Sequence, residues 1–237
     1  MQAKPTHVQG TPIPYNESLG NLSNQLRKGG MDTWTASIAL GYNPSDEALK
    51  ILIRGMKSQS ADLRRAAAGA IKHHPNGKRA GSELVKLLED GSDTVTRAAC
   101  ESLAALLCAE AHDDILPLLD SPDPMTREAG VRAIARLWKS SDFDILVMLH
   151  EKDKSLNVRD ACAWALRDHA NADTWKQLFN LWKAHSLARH RAWTCELAGE
   201  YGDDSSMTEL EQLSQDKDGH VRKAANRATK AIQTKLR

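Results

Sequence analysis

The sequence predicts an all-α protein, a right-handed α-solenoid (α-α superhelix) of about seven helical pairs. Three observations carry that prediction. Arginines stand at positions 64, 97, 127, 159, 191 and 222, at successive intervals of 33, 30, 32, 32 and 31 residues. Around each of them, small and apolar residues recur at helical spacing. No segment sustains the period-2 alternation of a half-buried strand. Self-similarity at this period is the signature of a stacked repeat array.

Taken along the chain, Met1 to Gly20 carries Pro5, Pro12, Pro14, Gly10 and Gly20 and reads as an extended N-terminal arm (residues 1–20). Residues 21–237 read as one solenoid domain. Its first unit is degenerate, with Thr33 in the arginine slot followed by Ala39-Leu40-Gly41. The later units align as Leu63-Arg64-Arg65-Ala66-Ala67, Thr96-Arg97-Ala98-Ala99-Cys100, Thr126-Arg127-Glu128-Ala129-Gly130 and Val158-Arg159-Asp160-Ala161-Cys162. Val221-Arg222-Lys223-Ala224-Ala225 closes the series, and His190-Arg191-Ala192-Trp193-Thr194 is a weaker copy before it. One turn further on come Ala70-Ile71, Leu103-Ala104, Ala133-Ile134, Ala165-Leu166 and Leu197-Ala198, which complete the apolar stripe of a second helix. The first helix of each pair has a stripe of its own, as in Leu84-Leu87-Leu88, Leu178-Leu181-Trp182 and Leu210-Leu213. Turn and cap residues such as Asp90-Gly91-Ser92-Asp93 and Asp120-Ser121-Pro122-Asp123 separate the two helices. A pair of about 31 residues cannot bury its apolar face alone, whereas stacked neighbours can.

Composition bounds the function. The 237 residues contain 32 Lys+Arg against 31 Asp+Glu, and near-neutrality gives no global reason for a nucleic-acid or membrane partner. Only 5% is aromatic, so the core must be mainly Ala, Leu, Ile and Val. No apolar run approaches the ~20 residues that cross a bilayer, and Met1 to Gly20 has no apolar signal region. Cys100, Cys108, Cys162 and Cys195 fall inside predicted helices without CxxC spacing, which implies buried thiols in a reducing cytoplasm.

These residues carry a family resemblance. Leu197-Ala198-Gly199-Glu200-Tyr201-Gly202-Asp203, followed by Leu210, Leu213 and Asp216 to Ala225, resembles the short HEAT repeat of the phycobilin-lyase type, and Val158 to Leu166 resembles its second helix. The resemblance covers roughly residues 31 to 237. It implies a fold and leaves the task open, because such repeats serve many. Small stand-alone bacterial proteins of this kind act as adaptors, assembly factors or inhibitors, including immunity proteins.

Walker, dinucleotide-binding, nucleophile-elbow and zincin motifs are absent. His150-Glu151 is similar to one of the His-Glu pairs of HEAT-like deoxyhypusine hydroxylases. That family needs several such pairs, so this one reads as a solvated loop. His73-His74 reads as a surface pair at a helix end. Neither a metal nor a cofactor is expected. Ala163 to Ala170, with Trp164, Arg167 and Asp168 on one helix, is similar to a stretch of HEAT-like alkylpurine DNA glycosylases. That gives the alternative of a DNA-acting enzyme or other nucleic-acid-binding protein; a bilin lyase subunit is another.

If the second helices line the concave side, as the resemblance implies, their outward slots hold Arg65, Lys72, Arg132, Arg136, Asp160, Trp164, Arg167, Asp168, Glu196, Lys223, Arg227 and Lys230. Trp182 and Trp193 fall in stripe positions, whereas Trp164 points out of its stripe. The recurring arginines, present in nearly every unit, imply a role common to every unit: a charge-assisted hydrogen bond to a neighbouring loop acid or carbonyl. Lys217 to Arg237 holds seven bases and one acid, the mark of a solvated terminal cap or of a patch for an acidic partner. The reading is a non-catalytic scaffold that binds another protein through this face.

Overall fold

The period folds as pairs of antiparallel helices in the computed structural model, which describes residues 4–235. A short hairpin comes first, β1 (His7–Val8) against β2 (Thr11–Pro12). The pairs are α1 (Leu19–Leu26) with α2 (Gly30–Gly41), α3 (Asp46–Gly55) with α4 (Ala61–Ile71), α5 (Gly81–Lys86) with α6 (Asp93–Ala105), and α7 (His112–Ile115) with α8 (Pro124–Arg136). They continue as α9 (Asp142–Lys152) with α10 (Leu156–Asp168), α11 (Trp175–Trp182) with α12 (Ala188–Tyr201), and α13 (Met207–Leu213) with α14 (Gly219–Lys235). Single 3-10 turns, Leu87–Glu89 and Leu116–Asp120, extend the short α5 and α7. The protein is thus an all-α array of the solenoid class.

Packing divides the chain into two compact units. The first runs to Ile145 and includes Lys152–Ala161; the second comprises Leu146–Glu151 and Cys162 onward. In the first, α4 lies against α6 and α6 against α8, with Ile71, Leu84, Leu103, Ile115 and Ile134 fully buried between the pairs. In the second, α12 lies against α14 around Leu178, Trp182, Leu210, Val221 and Ile232. The four cysteines are buried, and burial pushes Cys100 and Cys195 up to about 12, which leaves both thiols unreactive.

Second helices approach closely because their contact faces are small. A methyl group on Gly41 would sit 2.6 Å from the Ala70 carbonyl oxygen, and one on Gly199 would sit 3.1 Å from the Ala228 Cα. Ser102 uses the same proximity in the first unit, donating its hydroxyl to the Ala68 carbonyl at 2.7 Å.

The repeated arginine holds two loops at once. Arg127 Nη1 donates to the Ser121 and Pro122 carbonyls of its own turn, at 2.8 and 3.2 Å. Its Nε and Nη2 form a two-pronged pair with Asp153 of the following turn, at 2.7 and 3.0 Å. Arg64 does the same with Ser58, Gln59 and Asp90, and Arg191 with His185, Ser186 and Asp216. Arg97 pairs with Asp123 at 2.5 Å. Each acid in turn accepts a backbone N–H that shapes its loop: Ser92 for Asp90, Ser155 for Asp153, Asp218 for Asp216. Thr33, in the slot of the degenerate unit, donates its hydroxyl to the Leu26 carbonyl at 2.9 Å and so closes its own turn without charge.

The guanidinium hydrogen bonds hold the Asp90, Asp153 and Asp216 carboxyls below the usual carboxylate range. Their stabilisation is therefore complete above the unfolded value of ~3.9 and is lost as pH falls through the native values. Asp153→Asn, which leaves a mostly buried cation unpaired, is expected to cost about 3 kcal/mol at neutral pH. Denaturant titrations at descending pH check both statements: the variant's stability should fall less steeply below the unfolded value than the wild type's.

Candidate functional site

Trp164, Arg167 and Asp168 lie on α10, where i, i+3 and i+4 spacing turns them to one side of the helix. Within the second unit, α12 presents Arg189, Trp193 and Glu196 beside them. Trp164 is 45% exposed and Trp193 is 6% exposed; their rings meet edge to face with centroids 4.6 Å apart. The Arg189 guanidinium stands 5.7 Å from the Trp164 ring and 5.3 Å from the Trp193 ring, and that of Arg167 is 5.3 Å from Trp193. These cation–π contacts brace an indole that is half open to water. Arg167 also donates to Glu196 at 3.0 Å and to Asp168 at 3.4 Å. Glu196 borders two recesses, one of about 300 Å³ shared with Arg167, Asp168 and Tyr201, the other of about 260 Å³ shared with Gly199 and Arg227. Five of the residues predicted from sequence, Trp164, Arg167, Asp168, Glu196 and Arg227, thus fall on one surface, and Lys223 and Lys230 are exposed on α14.

The candidates in the first unit are engaged locally. Arg65 covers the Trp34 ring at 4.8 Å, Lys72 pairs with Glu101 at 3.7 Å, and Arg132 pairs with Glu128 of its own helix at 2.8 Å. Arg136 donates Nε to the Ala104 carbonyl at 3.2 Å, capping the end of α6. Asp160 is half-buried on α10.

A second cluster lies inside the second unit. His150 projects from α9, His185 from the turn after α11, and His190 from the first turn of α12. One ring nitrogen from each lies within 4.8 Å of one from each of the others. His150 Nε2 accepts the Trp182 indole N–H at 3.0 Å, and His185 Nδ1 accepts the Leu187 backbone N–H at 3.1 Å. His190 Nδ1 is 3.0 Å from His185 Nδ1, and the His190 ring stacks on Trp182 and Trp193. Burial, reinforced by His185, His150 and Arg189, pushes the His190 imidazole down to about 3, so it is neutral throughout the physiological range.

Two sequence expectations are corrected by this geometry. His150 is not on a solvated loop; it is 5% exposed, because the inner side of α9 turns it onto Trp182. His74 is not at the surface; it is 2% exposed, faces the Ser45 carbonyl at 3.2 Å and accepts the Asn76 N–H. His73 is half-buried, stacked on Tyr42 at 4.9 Å.

Comparison with known proteins agrees with the architecture. The model of the HEAT-repeat family matches residues 33–104 and 81–167, more than half of the chain. The chain belongs to the HEAT-repeat family. Among solved structures, the complex of CpcE and CpcF of phycocyanin lyase from a Nostoc species is similar at 19% identity, covering 98% of this chain and 93% of that one, with a TM-score of 0.57. The Escherichia coli protein YibA is similar at 16% identity, with coverages of 91% and 93% and a TM-score of 0.63. An engineered protein is similar at 19% identity, covering 90% of this chain and 67% of that chain, with a TM-score of 0.56. At these identities the likeness is one of fold. No curated protein matches.

In this HEAT-repeat protein, the Asp168 side chain is 61% exposed and tied to Arg167. No helix among the described residues is long and apolar enough to cross a membrane. Sequence reasoning missed Arg189, which lies two residues before the repeated arginine, because outward slots were sought only after it. The first turn of α12 reaches the same surface.

Trp182 and Trp164 should separate by stability. Trp182→Ala, at a fully buried position, is expected to cost about 3–5 kcal/mol. Trp164→Ala should cost under about 1.5 kcal/mol, as chemical denaturation of the two variants would measure.

Proposed function

We propose that this HEAT-repeat protein is a non-catalytic scaffold, an adaptor or an immunity-type inhibitor. It acts in the cytoplasm and captures another protein through the second-helix face centred on Trp164. The observation that carries the reading is the half-exposed Trp164 indole, held between Arg189 and Trp193. A pre-ordered aromatic loses little conformational freedom when covered, and Trp and Arg are the residue types that dominate binding hot spots. Arg167, Asp168, Glu196 and Arg227 supply a charged rim of both signs, which favours a protein surface over a uniformly anionic polymer. CpcE and CpcF, which share the fold, are themselves found as a complex.

Affinity capture followed by mass spectrometry identifies the partner. Trp164→Ala is expected to weaken capture by about 2 kcal/mol or more, with helicity by circular dichroism unchanged. Loss of helicity would instead make Trp164 a core residue and remove the site. Base release from alkylated DNA, abolished by Asp168→Asn, would replace the scaffold with the glycosylase.

A further inference from the structure

We propose that His150, His185 and His190 form a binding site for one divalent transition-metal ion of the zinc type, separate from the Trp164 surface. Three imidazoles from three different segments converge, and imidazole is the side chain that suits zinc, copper and nickel. At zinc–nitrogen distances of 2.0–2.1 Å, the nitrogens of a tetrahedral site stand about 3.3 Å apart. The His190 Nδ1 to His185 Nε2 separation is 3.3 Å, and rotation of the His185 ring brings its Nε2 lone pair toward the same point. The third nitrogen, within 4.8 Å, closes by a small movement of His150 or of the His185 turn.

A second observation points the same way. His190 is 1% exposed, yet its Nε2 has no hydrogen-bond partner among the described residues. A buried nitrogen left this way has lost its water and gained nothing in return. Flipping the ring by 180° exchanges the two nitrogens, so the ion can be met by the nitrogen that now lacks a partner. His185 is only half-buried and lies on a turn, which gives the ion a route in and room for water as a fourth ligand.

Metal binding takes the His150 lone pair that now accepts the Trp182 indole N–H, so loading breaks that hydrogen bond. Trp182 is thereby a built-in reporter. Three neutral imidazoles leave the ion's charge uncompensated, so affinity depends on the geometry and on what fills the fourth position.

The test uses the full chain, stripped with a chelator and titrated with zinc sulfate, and separately with cobalt(II) as a visible probe. The expected result is one ion per chain, the ligand-field absorption of a tetrahedral cobalt site, and a shift in the Trp182 indole N–H resonance. His185→Ala, on the turn, should weaken binding by about 100-fold or more, while His220→Ala on exposed α14 leaves it unchanged. His150→Gln, which can still accept the Trp182 N–H, should also lose the ion. Absence of stoichiometric binding by the wild-type chain overturns the proposal, whatever the variants do. So does binding that survives both His185→Ala and His150→Gln. Neither result bears on partner capture through Trp164.

Discussion

The turns of this array depend on a recurring guanidinium, which at Arg64, Arg127 and Arg191 forms a two-pronged pair with an aspartate of the following turn. A helical pair of this length has too little apolar surface to stand alone, and its turns would otherwise be the weakest points of the array. The arginine at the start of a second helix ties its own turn through backbone carbonyls and the next turn through an aspartate. That aspartate is also the organiser of its own loop. One side chain therefore fixes both the entry angle of a helix and the register of its neighbour. The role varies along the chain: Arg97 pairs with Asp123, Arg159 donates to the Asp153 and Lys154 carbonyls, and the exposed Arg222 donates to the Asp216 and Lys217 carbonyls.

With the turns pinned, the faces are free to differ. Small residues form the seam where second helices touch, and the outward slots drift from repeat to repeat. In the first unit those slots hold charges that satisfy neighbours within the array, such as Arg136 at the end of α6. In the second they gather tryptophan, arginine and glutamate on adjoining helices. Trp182, Trp193 and Trp164 illustrate the division. The first two fill the space beneath the helices; the third lies on top of them, held by the Arg189 cation and the Trp193 ring, and is half exposed. The interior of that unit is polar as well, with His150 and His190 buried beside the half-buried His185.

The array was legible because its determinants are local and periodic. The arginine spacing located every second helix, including the degenerate one at Thr33, and the turn acids were visible as Asp90, Asp120–Asp123 and Asp216. The stripe pattern also sorted the three tryptophans correctly. What escaped was whatever depends on a partner far away in sequence. His150 sits beside Glu151 in the chain and reads there as half of a pair, whereas its neighbours in space are Trp182, His185 and His190. His74 looked like a helix-end residue until α3 supplied the Ser45 carbonyl for it.

The amino-acid sequence by itself determined the helical pairs, their number, the apolar stripe of each and the arginine that recurs from the second pair onward. All of these follow from residue spacing along a single helix. Which outward residues share a surface, and which histidines share an interior, was decided only when α9, α10 and α12 packed. The 3.6-residue period says which way a side chain points from its own helix, and the rotation of the neighbouring helix decides what it meets.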